Sequence, residues 1–253
     1  MPEWRNGIRA RLKIVSRKGY GFESHLGHHM KKSKSFLNKD EQNSLFSILE
    51  KVNKVKNSGV ESRLISFAFL NKILNGDERA LIKKILEVSP RDFGFKGKFL
   101  GIKPVPKNLC KISHQKIQNQ FLPGRALSAF NKMNDAMFAE TGEQVEILSG
   151  YRSPAYQAIV FLWNLRANKY NLQKTVSTVA LPGYSEHNDA KNTSIDLICS
   201  GKKVSLTTTP TFAKTAQYQW LQKNARKFGF TESFPKKNKL GVIYEPWHWR
   251  YLV

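Results

Sequence analysis

The sequence predicts an α+β fold, a small antiparallel sheet flanked by helices and preceded by a small helical module. Three observations carry this. Apolar residues in the first third recur at three- and four-residue steps, which is the helical period. Beyond about residue 101, helical stretches alternate with short strand-like runs, the grouping expected of helices packed on a sheet. A chain of 253 residues with 40% hydrophobic and 11% aromatic content can also bury a core, so it reads as folded.

From about Asp40 the stripe Leu45, Ile48, Leu49, Val52 and Val55 marks a first helix. Residues 60–74 read as a second, ended by Asn75-Gly76, and Asp77 is placed to cap a third running through Leu86. Residues 30–100 form this module and its linker, with bracing of the following domain as its role. Residues 90–106, rich in Gly, Lys and Pro, are the connector. Residues 101–253 form the second domain. It has helices over 126–140 and 154–167, strands over 145–148 and 195–198, and a closing strand within 241–252. Thr209-Pro210 reads as N-cap and first turn of a helix reaching Phe228, with Gly229 at its end. No internal repeat is evident.

Three short segments carry chemistry. Ser149-Gly150-Tyr151-Arg152-Ser153 follows the apolar run 145–148. Pro182-Gly183-Tyr184-Ser185-Glu186-His187 leads to Ile195-Asp196-Leu197. The chain closes with Tyr244-Glu245-Pro246-Trp247-His248-Trp249-Arg250-Tyr251. A catalytic zinc keeps three protein ligands and leaves a fourth position for water, whose pKa falls towards about 7. His187, His248 and Asp196 meet that requirement. Glu245 is the candidate base, a carboxylate that must reach the water without being a ligand. Residues three apart on a regular strand point to opposite faces, so Glu245 and His248 can share a site only if the chain bends between them, where Pro246 lies. Arg152 offers a planar fork for a substrate carboxylate. Ser185, two residues before His187 on an extended segment, would add a hydroxyl on the same side. Taken alone, His248 between two tryptophans reads as a core histidine; the company of Glu245 and the His187 segment makes it a ligand. Trp247 and Trp249 read as packing, and His114 as an ordinary loop residue.

These motifs resemble the LAS metallopeptidases, most closely the VanY-type D-alanyl-D-alanine carboxypeptidases. The resemblance runs from about Lys103 to Val253, taking in Ser-Gly-Tyr-Arg-Ser with Gln157, Pro-Gly-Tyr-Ser-Glu-His, the segment from Trp220 to Phe230, and Glu-Pro-Trp-His-Trp-Arg-Tyr. It implies zinc on His187, Asp196 and His248 in a groove across the sheet, Glu245 as base, and Arg152, Ser185 and Gln157 on the substrate. The implied activity is hydrolysis of the terminal D-Ala-D-Ala bond of peptidoglycan peptides. An L-alanyl-D-glutamate endopeptidase of the endolysin kind, or a catalytically degenerate binding protein on the same fold, are the rival readings. The resembling pattern S-x-H-x-x-G-x-A-x-D has seven steps from His to Asp; here His187 to Asp196 takes nine, the Gly is missing, and Ser194 stands at the Ala position. Two extra loop residues cost well under about 1 kcal/mol in closure entropy, but they make Asp189 a rival ligand.

The net charge of +23 raises the question of nucleic acid. The lysines are scattered and no nucleic-acid motif accompanies them, so no nucleic-acid partner is expected; a polyanionic cell wall suits the charge equally well. No run approaches the roughly 18 apolar residues of a membrane span. Cys110 and Cys199 are too few for a disulfide framework, which makes a reducing compartment the default. The sequence carries no signal for oligomeric state.

Residues 1–29 lack any amphipathic period. Phe22-Glu23-Ser24 back-translates to TTC-GAA-TC, a sequence shared by the TΨC arm of many transfer RNA genes. The segment is therefore expected to be a transfer RNA gene read as protein, with translation starting at Met30. Removing its six basic and two acidic residues takes the net charge from +23 to +19, so the basic character survives. Neither start is followed by an apolar signal region, so the chain as written is expected to be cytoplasmic.

Overall fold

The computed structural model describes residues 35–200 and 211–252; the segment 1–29 discussed above lies outside them. The first helix, α1 (Lys39–Asn57), is opened by a capping box. Asn38 Oδ1 accepts from the Glu41 amide at 2.9 Å, and the Glu41 carboxylate accepts from the Asn38 amide at 2.9 Å. Leu45, Ile48, Leu49 and Val52 are buried, whereas Val55, the last of the predicted stripe, is half-buried.

The predicted second helix is interrupted. A 3₁₀ turn spans Ser62–Leu64, Ile65 is extended, and α2 covers only Phe67–Ile73. Ser66 is the cause: its hydroxyl accepts from the Phe69 amide at 3.1 Å, starting a new helix where a continuous one was expected. The third helix, α3 (Gly76–Leu86), is capped by Asn75 and not by Asp77. Asn75 Oδ1 accepts from the Glu78 amide at 2.9 Å and Glu78 returns the favour at 2.8 Å. Glu78 also accepts from Ser47 and Lys51 of α1, each at 2.7 Å, tying the two helices together.

The hairpin β1 (Leu109–Ile112) and β2 (Gln120–Pro123) leads directly into α4 (Gly124–Thr141). Next come β3 (Val145–Ser149), α5 (Pro154–Ala167), the short α6 (Leu172–Val176) and β4 (Ser194–Cys199). α7 (Ala216–Asn224), β5 (Phe230–Glu232) and β6 (His248–Tyr251) complete the order. The main sheet runs β3-β4-β6-β5 with every neighbouring pair antiparallel. α7 starts at Thr215, whose hydroxyl accepts from the Tyr218 amide at 3.2 Å. The expected cap at Thr209-Pro210 lies outside the described residues, and a 3₁₀ turn at Phe212–Lys214 separates it from the helix. The expected closing strand shrinks to β6, because residues 241–247 form a loop and turn.

Two hydrophobic cores result. α1, α2 and α3 share one with α5, which is buried almost all round, as a helix that is apolar on every face must be. The other lies between the sheet and helices α4 and α7 and includes Trp247 and Trp249, so both indoles are packing residues. The connector of residues 90–106 is not a free linker. Its Lys96 amide donates to Leu240 O at 2.9 Å and its Leu100 amide to Gly183 O at 2.7 Å. The rings of Phe95 and Phe99 lie 5.9 and 5.0 Å from that of Tyr184. Gly241 permits this approach: at φ +74 it is left-handed, and a Cβ there would stand 2.0 Å from Gly94 O. Cys110 and Cys199 are both free thiols, and no helix of the described residues is long and apolar enough to cross a membrane.

Candidate active site

Antiparallel pairing builds the centre of the site. Asp196 on β4 sits directly opposite His248 on β6, so their side chains share one face of the sheet. Asp196 is fully buried, and its Oδ1 lies 2.9 Å from His248 Nδ1 and 3.3 Å from His187 Nε2. His187 arrives from a 3₁₀ turn, Glu186–Asn188, that is laced to the Ser149–Ser153 motif. The Arg152 amide donates to His187 O at 3.0 Å, and Asn188 Nδ2 donates to Arg152 O at 2.7 Å. The two imidazole rings meet edge to face, 5.0 Å apart.

The protons on these rings follow from their neighbours. His187 Nδ1 is 2.9 Å from Gly150 O; a carbonyl only accepts, so Nδ1 carries the hydrogen and Nε2 presents a lone pair. Burial, and then the positive charge of Arg152, outweigh Asp196 and push His187 down to about 3, keeping it neutral. For His248, burial works against the charged form, but the hydrogen bonds to Asp196 and Glu186 outweigh it and raise its pKa to about 9. His248 Nε2 donates to Glu186 Oε2 at 3.0 Å, which leaves Nδ1 as the atom that could face a metal. Burial alone would raise the Glu186 carboxyl, yet His248, Arg250 and Ser233 together hold it below the usual carboxylate range.

This donor set fits a zinc ion. The candidate ligand atoms of His187, Asp196 and His248 all lie within 4.8 Å of one another. Ligands about 2.0–2.1 Å from a tetrahedral zinc stand about 3.3 Å apart, close to the 2.9 and 3.3 Å that separate Asp196 Oδ1 from the two imidazole nitrogens. Each imidazole also donates its other N–H to an oxygen, as metal-ligating histidines do to fix the ring and its tautomer.

Glu245 comes to the same place by the expected bend. The His248 amide donates back to Glu245 O at 3.0 Å, closing a turn around Pro246 and Trp247, and the Glu245 amide is fixed to Phe234 O at 3.0 Å. Its Oε2 lies 3.9 Å from His248 Nδ1. Arg152, Gln157 and Ser185 line a cleft of about 470 Å³ together with Glu245, His187 and His248. Ser185 does so from the last extended residue before the 3₁₀ turn, so the extended segment expected through His187 stops short of it. Gln157 is fully buried on α5; its Nε2 donates to Ala180 O at 2.7 Å, and its Oε1 has no hydrogen-bond partner among the described residues.

Asp189 stands outside the cluster. Its carboxylate accepts from Arg250 at 3.1 Å and from the Lys191 amide at 3.1 Å. Sequence reasoning missed Arg250, which also donates to Glu186 Oε1 at 3.2 Å and Asn192 O at 3.1 Å, buckling the longer His187–Asp196 loop onto β6. It missed Glu186 as well. The available signal was position alone, Glu186 preceding one candidate ligand and Arg250 following the other by two residues. The connector's share of the cleft wall, Phe95, Gly97, Lys98 and Leu100, had no signal in the sequence.

A small antiparallel sheet carrying two imidazoles and a carboxylate at the foot of a cleft, with a further carboxylate beside them, defines the class of site: a candidate metal centre with a carboxylate at its side. Residues 119–253, just over half of the chain, match the family model of VanY, D-alanyl-D-alanine carboxypeptidase, and the chain belongs to that family. Two relatives illustrate the range. YodJ of Bacillus subtilis (strain 168) is 35% identical over 144 residues, which cover 54% of this chain and 49% of YodJ. VanXYC of Enterococcus gallinarum, a bifunctional D-Ala-D-Ala dipeptidase and D-Ala-D-Ala carboxypeptidase, is 27% identical over 167 residues, covering 57% and 82%. The chain thus spans about half the length of YodJ. The solved structure of VanYB in complex with D-alanine-D-alanine is 26% identical with a TM-score of 0.47, covering 60% of this chain and 82% of that one.

Proposed function

We propose that this protein is a zinc-dependent D,D-carboxypeptidase that hydrolyses the terminal D-Ala-D-Ala bond of peptidoglycan peptides. The observation that carries the reading is the convergence of His187 Nε2 and His248 Nδ1, both from residues lining the cleft, on the buried Asp196 Oδ1, with the Glu245 carboxylate 3.9 Å from His248 Nδ1. Those three atoms would hold zinc, which would supply Lewis acidity at the scissile carbonyl and a more acidic water.

The chain's own residues do the rest. Arg152, buried in the cleft, binds the terminal carboxylate of the peptide as a planar fork. Ser185 donates a hydroxyl hydrogen bond to the same group. Gln157 has its amide nitrogen committed to Ala180 O, so its Oε1 accepts an N–H from the substrate rather than meeting the carboxylate. Glu245 takes a proton from the attacking water and returns it to the departing D-alanine amine, so one residue is base and then acid.

The test uses the full chain, loaded with zinc, and an N-acetylated peptide ending in D-Ala-D-Ala, with free D-alanine as the readout. Release that is abolished by chelation and lowered about a hundred- to ten-thousand-fold in Glu245→Ala, with zinc content unchanged, is the expected result. Cleavage of a muropeptide only at an internal bond would move the assignment to an endopeptidase. Zinc-loaded protein that cleaves neither would make it a binding protein.

A further inference from the structure

The cleft has a wall that belongs to no catalytic motif. Phe95, Leu100, Val176, Val179, Leu240 and Val242 give it an apolar lining, and Lys98 stands on it. Lys98 is exposed and makes no ion pair or hydrogen bond among the described residues, whereas Arg250, another cation of the cleft, is committed to Glu186 and Asp189. Its position is nonetheless defined. The Lys96 and Leu100 amides are pinned on either side of it, to Leu240 O and Gly183 O, so the backbone carrying Lys98 is held against the catalytic domain at both ends. These residues precede the segment that matches the family, which begins at residue 119.

We infer that Lys98 and this apolar wall select a substrate whose residue preceding D-Ala-D-Ala, the second on the N-terminal side of the scissile bond, carries a carboxylate on an aliphatic stem. The inference rests on the proposed function and deepens it. Arg152 is a buried residue of the cleft lining and, in the proposed function, takes the C-terminal carboxylate, so the peptide must run outward from there. What meets the exposed Lys98 near the mouth therefore lies on the N-terminal side of the bond that breaks. The hydrocarbon stem covers apolar wall, and the carboxylate meets the ammonium in partly aqueous surroundings. Such an exposed ion pair is worth less than about 1 kcal/mol, which is up to about fivefold in kcat/KM.

The experiment compares N-acetyl-X-D-Ala-D-Ala in which X is 2-aminoadipic acid with the same peptide bearing the side-chain amide. Zinc-loaded full-chain wild type, Lys98→Met, Lys98→Glu and Lys96→Met are assayed for D-alanine release at low ionic strength. Wild type should favour the acid about two- to fivefold in kcat/KM and lose that preference in high salt. Lys98→Met should bring the ratio to about one and Lys98→Glu should invert it, whereas Lys96→Met, outside the cleft lining, should keep it. Equal use of acid and amide by wild type, or a preference that survives Lys98→Met, overturns the inference. If wild type hydrolyses neither peptide, the proposed function fails instead. The ratio of the two dissociation constants, measured by calorimetry on wild type and Lys98→Met, then decides for or against Lys98 independently of turnover.

Discussion

Replacing Arg250 with methionine should loosen the proposed metal centre without touching any of its three proposed ligands. The side chain is about one-fifth exposed, and its guanidinium holds Glu186 Oε1 at 3.2 Å, Asp189 Oδ2 at 3.1 Å and Asn192 O at 3.1 Å. Fully buried, each hydrogen bond to a charged group would be worth about 1.5–3 kcal/mol. Solvent screening lowers that, and the orphaned groups keep other partners. Glu186 retains His248 Nε2 and the Ser233 hydroxyl, and Asp189 retains the Lys191 amide. The net loss should be about 2–4 kcal/mol, at or just below the cost of breaking a buried pair from one side. Glu186 orients His248, and the freed loop carries His187, so zinc affinity should also fall about 10- to 100-fold, the usual effect of losing an outer partner. Arg250→Lys supplies a point charge in place of a fork and should recover only part of either loss. Urea denaturation of metal-free protein reads the first quantity, and competition with a chromophoric chelator reads the second. A methionine variant with an unchanged midpoint, and zinc affinity within about twofold of wild type, would refute the claim that this residue holds the longer loop in place.

Three further expectations follow from particular contacts. Ser194 is fully buried and its hydroxyl has no hydrogen-bond partner among the described residues, so Ser194→Ala should raise stability by about 1–2 kcal/mol in urea denaturation; a drop would mean the hydroxyl is satisfied. A Cβ at Gly150 would stand 2.4 Å from the backbone oxygen of Phe121, so Gly150→Ala should cost about 1–3 kcal/mol. It should also weaken zinc binding by displacing the carbonyl that holds His187, and an unaltered affinity would argue against that role. His248, raised to about 9 in the metal-free protein, holds a second proton below that pH which zinc must expel. Affinity should therefore climb with pH up to about 9, with about one proton released per zinc near neutrality; calorimetry in buffers of different ionisation enthalpy measures it, and no release would contradict the assignment.

The extent to which this was legible in the sequence depended on the range of the forces involved. α5 was predicted over its observed span because its signal is local, Ser153 as cap and Pro154 in the first turn before a long apolar run. The second and third helices were misjudged because Ser66 and Asn75 outcompeted the expected boundaries, a contest between neighbouring caps that periodicity does not register. β1, β2 and β5 were missed because they are only three or four residues long and show no polar–apolar alternation. Among the candidate site residues, His187, His248, Glu245, Arg152, Ser185 and Gln157 line one cleft, and Asp196 lies buried against its two imidazoles. The residues that fix their geometry were not legible, because Arg250 and Glu186 meet across 64 positions of chain.

The three motifs brace one another, and this explains how the nine-step loop is tolerated. The first motif supplies Gly150 O, which sets the tautomer of His187 in the second. The second supplies Glu186, which sets the tautomer of His248 in the third. The third supplies Arg250, which returns to Glu186 and, through Asp189 and Asn192, closes the loop that departs from the seven-step pattern. Asp196 needs no such help, since strand pairing on both sides already fixes it opposite His248. The sheet therefore places Asp196 and His248 by backbone pairing, and bonds between motifs place His187 and orient both imidazole rings. Extra residues in the loop alter only the path between His187 and Asp196, while each end stays anchored by contacts that the loop does not provide.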